Sequence, residues 1–351
     1  MDKFSRGIVK SRFVIFIISL VLLIPSFFGY ISTRVNYDVL SYLPKDIETM
    51  VGQDVLMDDF GTGAFTMIVT EGLPYKDVSK LTDQIVAVLF QLGIQVEIAK
   101  CNKDIEDISK PLFTNQEELI KRNDIMIAVG GDGTTLNIAK SSALYDKLTL
   151  GINAGRLGFM SGLERDELAL LKCLSTGDYE VEERMMIRAV VTDKNGVQSE
   201  YQCLNDAVIS RGDLARLIDI SVMCGGRLVS DNRADGMIFS TPTGSTAYSM
   251  AAGGPVVSPD NSCVVATPIC PHSLINRSIV FSPDKTLEIS VINDRNNNAY
   301  LSIDGKESIP IDEKTKITIS KSSYTAKLIK IKPDNFYEIL NKKLLERRIL
   351  P

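Results

Sequence analysis

The sequence predicts an α/β protein in two parts. An open, Rossmann-like α/β domain is followed by a mostly β, β-sandwich-like domain, with an N-terminal transmembrane helix in front and a C-terminal helix returning to the α/β domain. Three observations predict it. Short β-branched runs alternate with amphipathic stretches up to about Leu174, closely spaced strand segments follow from about Tyr179, and Phe13 to Thr33 carries no charged residue. Strand–helix alternation implies a parallel sheet with helices on its faces, whereas successive short strands imply antiparallel pairing. The expected segmentation is 1–64 (membrane anchor and linker, spanning helix about 13–33), 65–175 (α/β), 176–330 (mostly β) and 331–351 (terminal helix).

The apolar stretch Phe13 to Thr33 is long enough, at about 1.5 Å per residue, to cross a bilayer. Lys3, Arg6, Lys10 and Arg12 precede it, whereas Arg34 and Lys45 follow. The positive-inside rule then places the N-terminus in the cytoplasm and the rest outside.

Phe65 to Thr70 reads as a strand, and Lys76 to Leu92 as a helix with Val78, Leu81, Ile85, Val88 and Leu89 on one face. Gly93 stops that helix, and Val96 to Ala99, Ile125 to Val129 and Leu148 to Ile152 supply further strands. A helical stretch runs from Thr134 to Ala143. In the second half the strand candidates are 185–192, 206–210, 218–223, 236–240, 279–281, 287–291 and 317–320, with turn signals such as Gly225-Gly226 and Asp304-Gly305 between them. Asn335 to Arg348 is helical again, with Phe336, Ile339, Leu340, Leu344 and Leu345 at helical spacing.

Composition narrows the chemistry. A net charge of −5 without a basic stripe argues against a nucleic-acid partner. Six cysteines without C-x-x-C spacing read as buried free thiols of a reducing compartment. His272 is the only histidine, so carboxylates must do any acid–base work.

Gly130-Gly131-Asp132-Gly133-Thr134 follows the buried-strand run Ile125 to Val129 directly. Backbone N–H groups at such a strand-to-helix turn favour phosphate oxygens, and glycines let them approach. Asp132 is a negative charge in that setting, which suits a proton acceptor or a metal holder. A plain βα turn whose Asp caps the helix is the other reading of the pentapeptide. Gly155 to Phe159 forms a second glycine turn whose signal is weak alone. Arg233-Ala234-Asp235 leads into Thr243-Gly244-Ser245-Thr246-Ala247-Tyr248, which concentrates hydroxyls and small residues where a helix should begin after Pro242. Those hydroxyls can donate to phosphate or ribose oxygens, and Tyr248 offers a stacking face. Leu204-Asn205-Asp206 adds an amide and a carboxylate at a strand start.

These three motifs, in this order and spacing, resemble the NAD kinases over about Asp83 to Leu345. Gly-Gly-Asp-Gly-Thr also occurs in diacylglycerol and sphingosine kinases, but the 243–248 motif does not belong to those relatives. The resemblance implies ATP-dependent phosphorylation of the adenosine-ribose 2′-hydroxyl of NAD+, with Mg2+ or a similar divalent ion and a homo-oligomer, typically a dimer or tetramer. Asp132 would be the general base, with Gly131, Gly133 and Thr134 at the nucleotide phosphates. Asn205 and Asp206 would hold the acceptor nucleotide. Thr243, Gly244, Ser245, Thr246, Ala247 and Tyr248 would form its adenine and ribose pocket, and Arg233 and Asp235 would position the rest of the dinucleotide. The chain contains no G-x-x-x-x-G-K-[ST], so the donor site is not a Walker-type loop.

Residues 1–71 resemble instead the start of a resistance-nodulation-division (MMPL-like) transporter, through soft motifs such as Asn36 to Pro44. Phe65 to Thr70 then stands where the NAD kinases carry a first strand with an Asn-Pro-like turn. NAD+ and ATP are cytosolic, which conflicts with the orientation that an N-terminus-inside anchor imposes. A lipid or sphingoid-base kinase and a non-catalytic membrane-tethered NAD-binding protein are the rival readings.

Overall fold

The computed structural model describes residues 75–99, 112–113, 116–155, 157–212, 216–272, 277–292, 299–333 and 336–346. All belong to one compact unit, Glu71–Pro351; a second unit, Met1–Thr70, lies outside the described residues. The expected strand at 65–70, the transporter-like segment and the expected span at 13–33 therefore fall outside them as well.

The first element is helix α1 (Tyr75–Gln91), which buries Leu81, Ile85 and Leu89 at helical spacing. Two short parallel strands, β1 (Ile98–Ala99) and β2 (Leu112–Phe113), and helix α2 (Gln116–Arg122) follow. Strand β3 (Ile125–Gly130) leads into helix α3 (Asp132–Ala143), and β4 (Leu148–Asn153) lies parallel to β3 and to β5 (Leu163–Glu164). After a 3-10 turn, helix α4 (Lys172–Thr176) ends at Gly177 in the left-handed conformation, φ 71°, where glycine carries no Cβ penalty.

The second half is built of strands. These are β6 (Glu180–Thr192), β7 (Gln198–Cys203), β8 (Asp206–Arg211), β9 (Ile218–Cys224), β10 (Arg227–Ala234) and β11 (Gly236–Ser240). The short helix α5 (Tyr248–Ala251) separates them from β12 (Val264–Ile269), β13 (Ile279–Phe281), β14 (Leu287–Ile292), β15 (Ala299–Ile303), β16 (Glu307–Ile311) and β17 (Lys316–Lys330). Helix α6 (Phe336–Glu346) closes the chain.

One antiparallel sheet has the order β13-β12-β11-β8-β15-β16. The larger sheet runs β10-β9-β14-β17-β4-β3, with β6 also on β17 and β7 on β6. Strand β17 joins the two halves: it is antiparallel to β6 and β14 but parallel to β4. Hydrogen bonds therefore cross the boundary expected near residue 175. The inner faces of the two sheets meet in one core, where Ile187, Ile220, Val222 and Ile289 of the larger sheet pack with Ile209, Phe239, Ala266 and Leu301 of the other. This is a β-sandwich.

Strands β7, β10, β12, β15 and β16 were not expected. Half of β7 is exposed and its sequence is mostly polar, while β12 and β16 carry Pro268 and Pro310, which lower a segment's strand signal. The helix expected after Pro242 is a 3-10 turn over Thr243–Thr246 followed by one turn of α5. Among the described cysteines all five are free, and Cys270 is exposed rather than buried.

The expected fold class is corrected in one respect. Among the described residues no helix is long and apolar enough to cross a membrane. The longest, α1, has 17 residues and carries Lys76, Asp77, Lys80 and Asp83, whose charges a bilayer core would not accept. The fold is an α/β part fused through one sheet to a β-rich part.

Phe239 is fully buried at the centre of the sandwich. Phe239→Ala is expected to destabilise the protein by about 3–5 kcal/mol, read as a lower urea midpoint.

Candidate active site

Strand β3 delivers its chain to the N-terminus of α3, which starts at Asp132, two residues before the expected Thr134. Gly131 is the N-cap, with φ −90°, ψ −174° and no side-chain cap. The first N–H groups of a helix have no intrahelical partner and, with the macrodipole, make an anion site. A Cβ on Gly131 or Gly133 would meet nothing within 4 Å, so both positions are open to a ligand. Thr134 is exposed.

The Asp132 carboxylate is fixed from across the site. Its Oδ2 accepts the Phe159 N–H at 3.0 Å and its Oδ1 accepts the Met160 N–H at 3.1 Å. Gly158 lies so close that a Cβ there would overlap the carboxylate. The glycine turn whose sequence signal was weak is thus what orients Asp132. Helix α6 reaches the same place: Phe336 packs on Phe159 with ring centroids 5.9 Å apart, and Lys343 Nζ stands 3.4 Å from Asp132 Oδ2 and 4.1 Å from the Phe159 ring centroid.

A second cluster forms around Leu204-Asn205-Asp206. The Asp304 carboxylate, 1 % exposed, accepts the N–H groups of Leu204 (3.2 Å), Asn205 (2.8 Å) and Asp206 (3.1 Å) and pairs with Lys140 at 3.1 Å. Lys140 belongs to α3, and Leu204 shares an apolar cluster with Leu136 and Ala139 of that helix. From the other side, Thr241 donates its hydroxyl to the Leu204 carbonyl at 2.6 Å and its N–H to the Asn205 carbonyl at 2.9 Å. A Cβ on Gly244 would overlap the Asn205 backbone. Burial, and after it the Asp304 charge, pushes the Asp206 carboxyl up to about 7.

The remaining predicted site residues divide by role. Ser245 is buried; it donates to the Pro242 carbonyl at 2.6 Å and accepts the Val257 N–H at 2.9 Å, so its hydroxyl holds the turn. Thr243 accepts from the buried Arg184 guanidinium at 3.2 Å, and Thr246 donates to the Thr243 carbonyl. Ala247 is partly exposed and Tyr248 is 47 % exposed, with its phenol pushed up by burial and then by the charges of Cys270, Asp235 and Asp206. Asp235 pairs with Arg211 at 2.6 Å, and Arg233 is exposed on β10. Sequence reasoning singled out Gly158 only as part of a weak glycine turn and missed the site roles of Lys140, Arg184, Asp304 and Lys343. Asp304-Gly305 had been visible only as a turn signal, yet Asp304 adopts φ 47°, which non-glycine residues rarely do.

Fold and site together define an α/β protein with a fixed carboxylate at an open helix N-terminus, an arrangement suited to phosphate. Comparison with known families makes the class specific. Residues 75–179 match the ATP-NAD kinase N-terminal domain and residues 204–331 the ATP-NAD kinase C-terminal domain. An NAD kinase of Caldanaerobacter subterraneus subsp. tengcongensis is 40% identical over 231 residues, covering 66% of this chain and 81% of that protein. An NAD kinase of Natranaerobius thermophilus is 34% identical over 270 residues, covering 76% and 93%. Among solved structures, an NAD kinase from Archaeoglobus fulgidus in complex with ATP superposes with a TM-score of 0.58 at 29% identity, covering 75% of this chain and 93% of that one. Yeast NADH kinase complexed with NADH shares the fold, with a TM-score of 0.67 at 22% identity over 78% of this chain and 85% of that one. The chain belongs to the NAD kinase family. The transporter-like stretch 1–71 lies outside both matched domains.

The raised Asp206 carboxyl has a consequence for stability. The folded state takes up this proton more readily than the unfolded chain, whose carboxyl has the ordinary value of 3.8. The contribution is fully present below 3.8 and is lost as pH rises through about 7. Asp206→Asn is therefore expected to gain stability relative to the parent between pH 4 and 8, measured as the difference in urea midpoints; a pH-independent difference would contradict it.

Proposed function

We propose that this protein transfers the γ-phosphoryl group of ATP to the adenosine-ribose 2′-hydroxyl of NAD+, giving NADP+ and ADP. The observation that carries the reading is the Asp132 carboxylate, held by two backbone N–H groups at the open N-terminus of α3. In the step, a bond forms between the ribose 2′-oxygen and the γ-phosphorus while the bond from that phosphorus to the β–γ bridging oxygen breaks. The bond's electron pair leaves with ADP, and the hydroxyl proton passes to Asp132. Each carboxylate oxygen has two acceptor positions, so the contacts from Phe159 and Met160 orient the group without using up its capacity for that proton.

The N–H groups of the α3 first turn, together with Gly131, Gly133 and Thr134, take phosphate oxygens in this reading. Asn205 and Asp206 hold the acceptor nucleotide, and Thr243, Thr246, Ala247 and Tyr248 line its adenine and ribose, with Gly244 and Ser245 shaping the turn. Arg233 and Asp235 position the remainder. Among the described residues no three potential metal ligands cluster. Mg2+ enters the proposal as the companion of the triphosphate, where it would offset charge on the transferring phosphoryl group. A homo-oligomer, dimer or tetramer, is supported by family likeness alone.

Purified full-length protein is expected to form NADP+ from NAD+ and Mg-ATP. Asp132→Asn should lower kcat by about 10²–10⁴ while the NAD+ dissociation constant stays within a few-fold. Phosphorylation of a lipid but not of NAD+ would overturn the proposal, as would an Asp132→Asn enzyme of parental turnover. Gly158→Ala should also cut kcat, by about 100-fold, because it displaces the carboxylate rather than removing it. Steady-state kinetics with a thermal melt to check folding separates these effects.

A further inference from the structure

Helix α6 buries Phe336 and Ile339, and the next position on that face, at the same helical spacing, is Lys343. An apolar residue would complete the stripe. Instead a cation 29 % exposed lies across the Phe159 ring and points its ammonium at the one carboxylate assigned to proton transfer. Covering Phe159 would need only the methylene stem. The position of the charge needs another explanation.

Resting on the reaction proposed above, we infer that Lys343 is a catalytic residue: its ammonium bridges Asp132 and the γ-phosphoryl group of the donor. A hydroxyl giving its proton to Asp132 lies about 2.6–3.2 Å from the carboxylate, and the phosphorus it attacks lies about 3–3.5 Å beyond. An ammonium 3.4 Å from Oδ2 on a flexible stem reaches the oxygens of that group. It has three donors, and one contact with Asp132 leaves others for phosphate.

A carboxylate and a triphosphate repel each other, and beyond the charge that the accompanying Mg2+ offsets, the α3 dipole and the Lys343 ammonium are protein groups placed to reduce that repulsion. The chain has no Walker lysine to supply the charge. Before the donor binds, Lys343 neutralises Asp132; when phosphate oxygens share the ammonium, the carboxylate is freer to accept the hydroxyl proton. The phosphoryl transfer is the one already written, and Lys343 keeps its protons throughout.

The test compares the full-length parent with K343M, K343Q and K343R. Removing the charge is expected to lower kcat/KM for ATP by about 10²–10³ in both K343M and K343Q. The NAD+ dissociation constant measured without ATP and the melting temperature should stay near parental values. K343R should recover much of the loss, since it restores a cation at the same place. Parental kcat/KM for ATP in K343M or K343Q would overturn the assignment, as would an equal loss of NAD+ affinity or a K343R enzyme no better than K343M. If the parent itself forms no NADP+, the proposed reaction falls first; a parent that is active beside equally active Lys343 variants overturns this inference alone.

Discussion

A single buried carboxylate, Asp304, sets the register of the site. Burying a charge is costly unless it is paired and hydrogen-bonded. Asp304 meets that condition by gathering three consecutive backbone N–H groups from 204–206 and the ammonium of Lys140. Charge-assisted bonds of this kind are short and directional. They fix the Asn205-Asp206 turn against β15 and tie it to α3, the helix that starts at Asp132. The Asn205-Asp206 turn and helix α3 are thereby tied by one ion pair, and the nearby Asp206 carboxyl is pushed up by burial and then by the same charge.

The rest of the architecture serves that junction. Strand β17 carries hydrogen bonds from one layer of the sandwich into the parallel strands that lead to α3, while the Asp304 turn follows β15 of the other layer, so the Asp304 contacts link the two sheets at the site. Close approach of chain segments then depends on two glycines. Gly158 admits the Asp132 carboxylate, and Gly244 admits the Asn205 backbone. Helix α6 completes the arrangement from the C-terminus through Phe336 and Lys343.

Much of this was legible in the sequence because it depended on local pattern. The β3–α3 turn, the amphipathic α1, the terminal helix, the alternations in β9 and β14 and the short apolar run of β11 all announce themselves by pattern and by glycine. Family likeness added the 204–206 and 243–248 motifs. What escaped was set by distant partners. Asp304 looked like one half of an Asp-Gly turn because its three N–H donors lie about a hundred positions away in the chain. Lys343 drew no reading of its own within the predicted terminal helix, and Ser245 looked like a ligand contact, although it is a buried brace of its own turn. The polar or proline-bearing strands gained their partners from the sheet, not from propensity. The membrane-spanning expectation rested on a segment outside the described residues, and no described helix carries it.

The central claim is that Asp132 faces the hydroxyl it deprotonates. A crystal structure of the Asp132→Asn protein with NAD+ and a non-hydrolysable ATP analogue tests it most directly. The account predicts the adenosine-ribose 2′-oxygen within hydrogen-bonding distance of residue 132, with the γ-phosphate beyond it in line. A 2′-oxygen held by another carboxylate, with residue 132 turned away from both nucleotides, would contradict it.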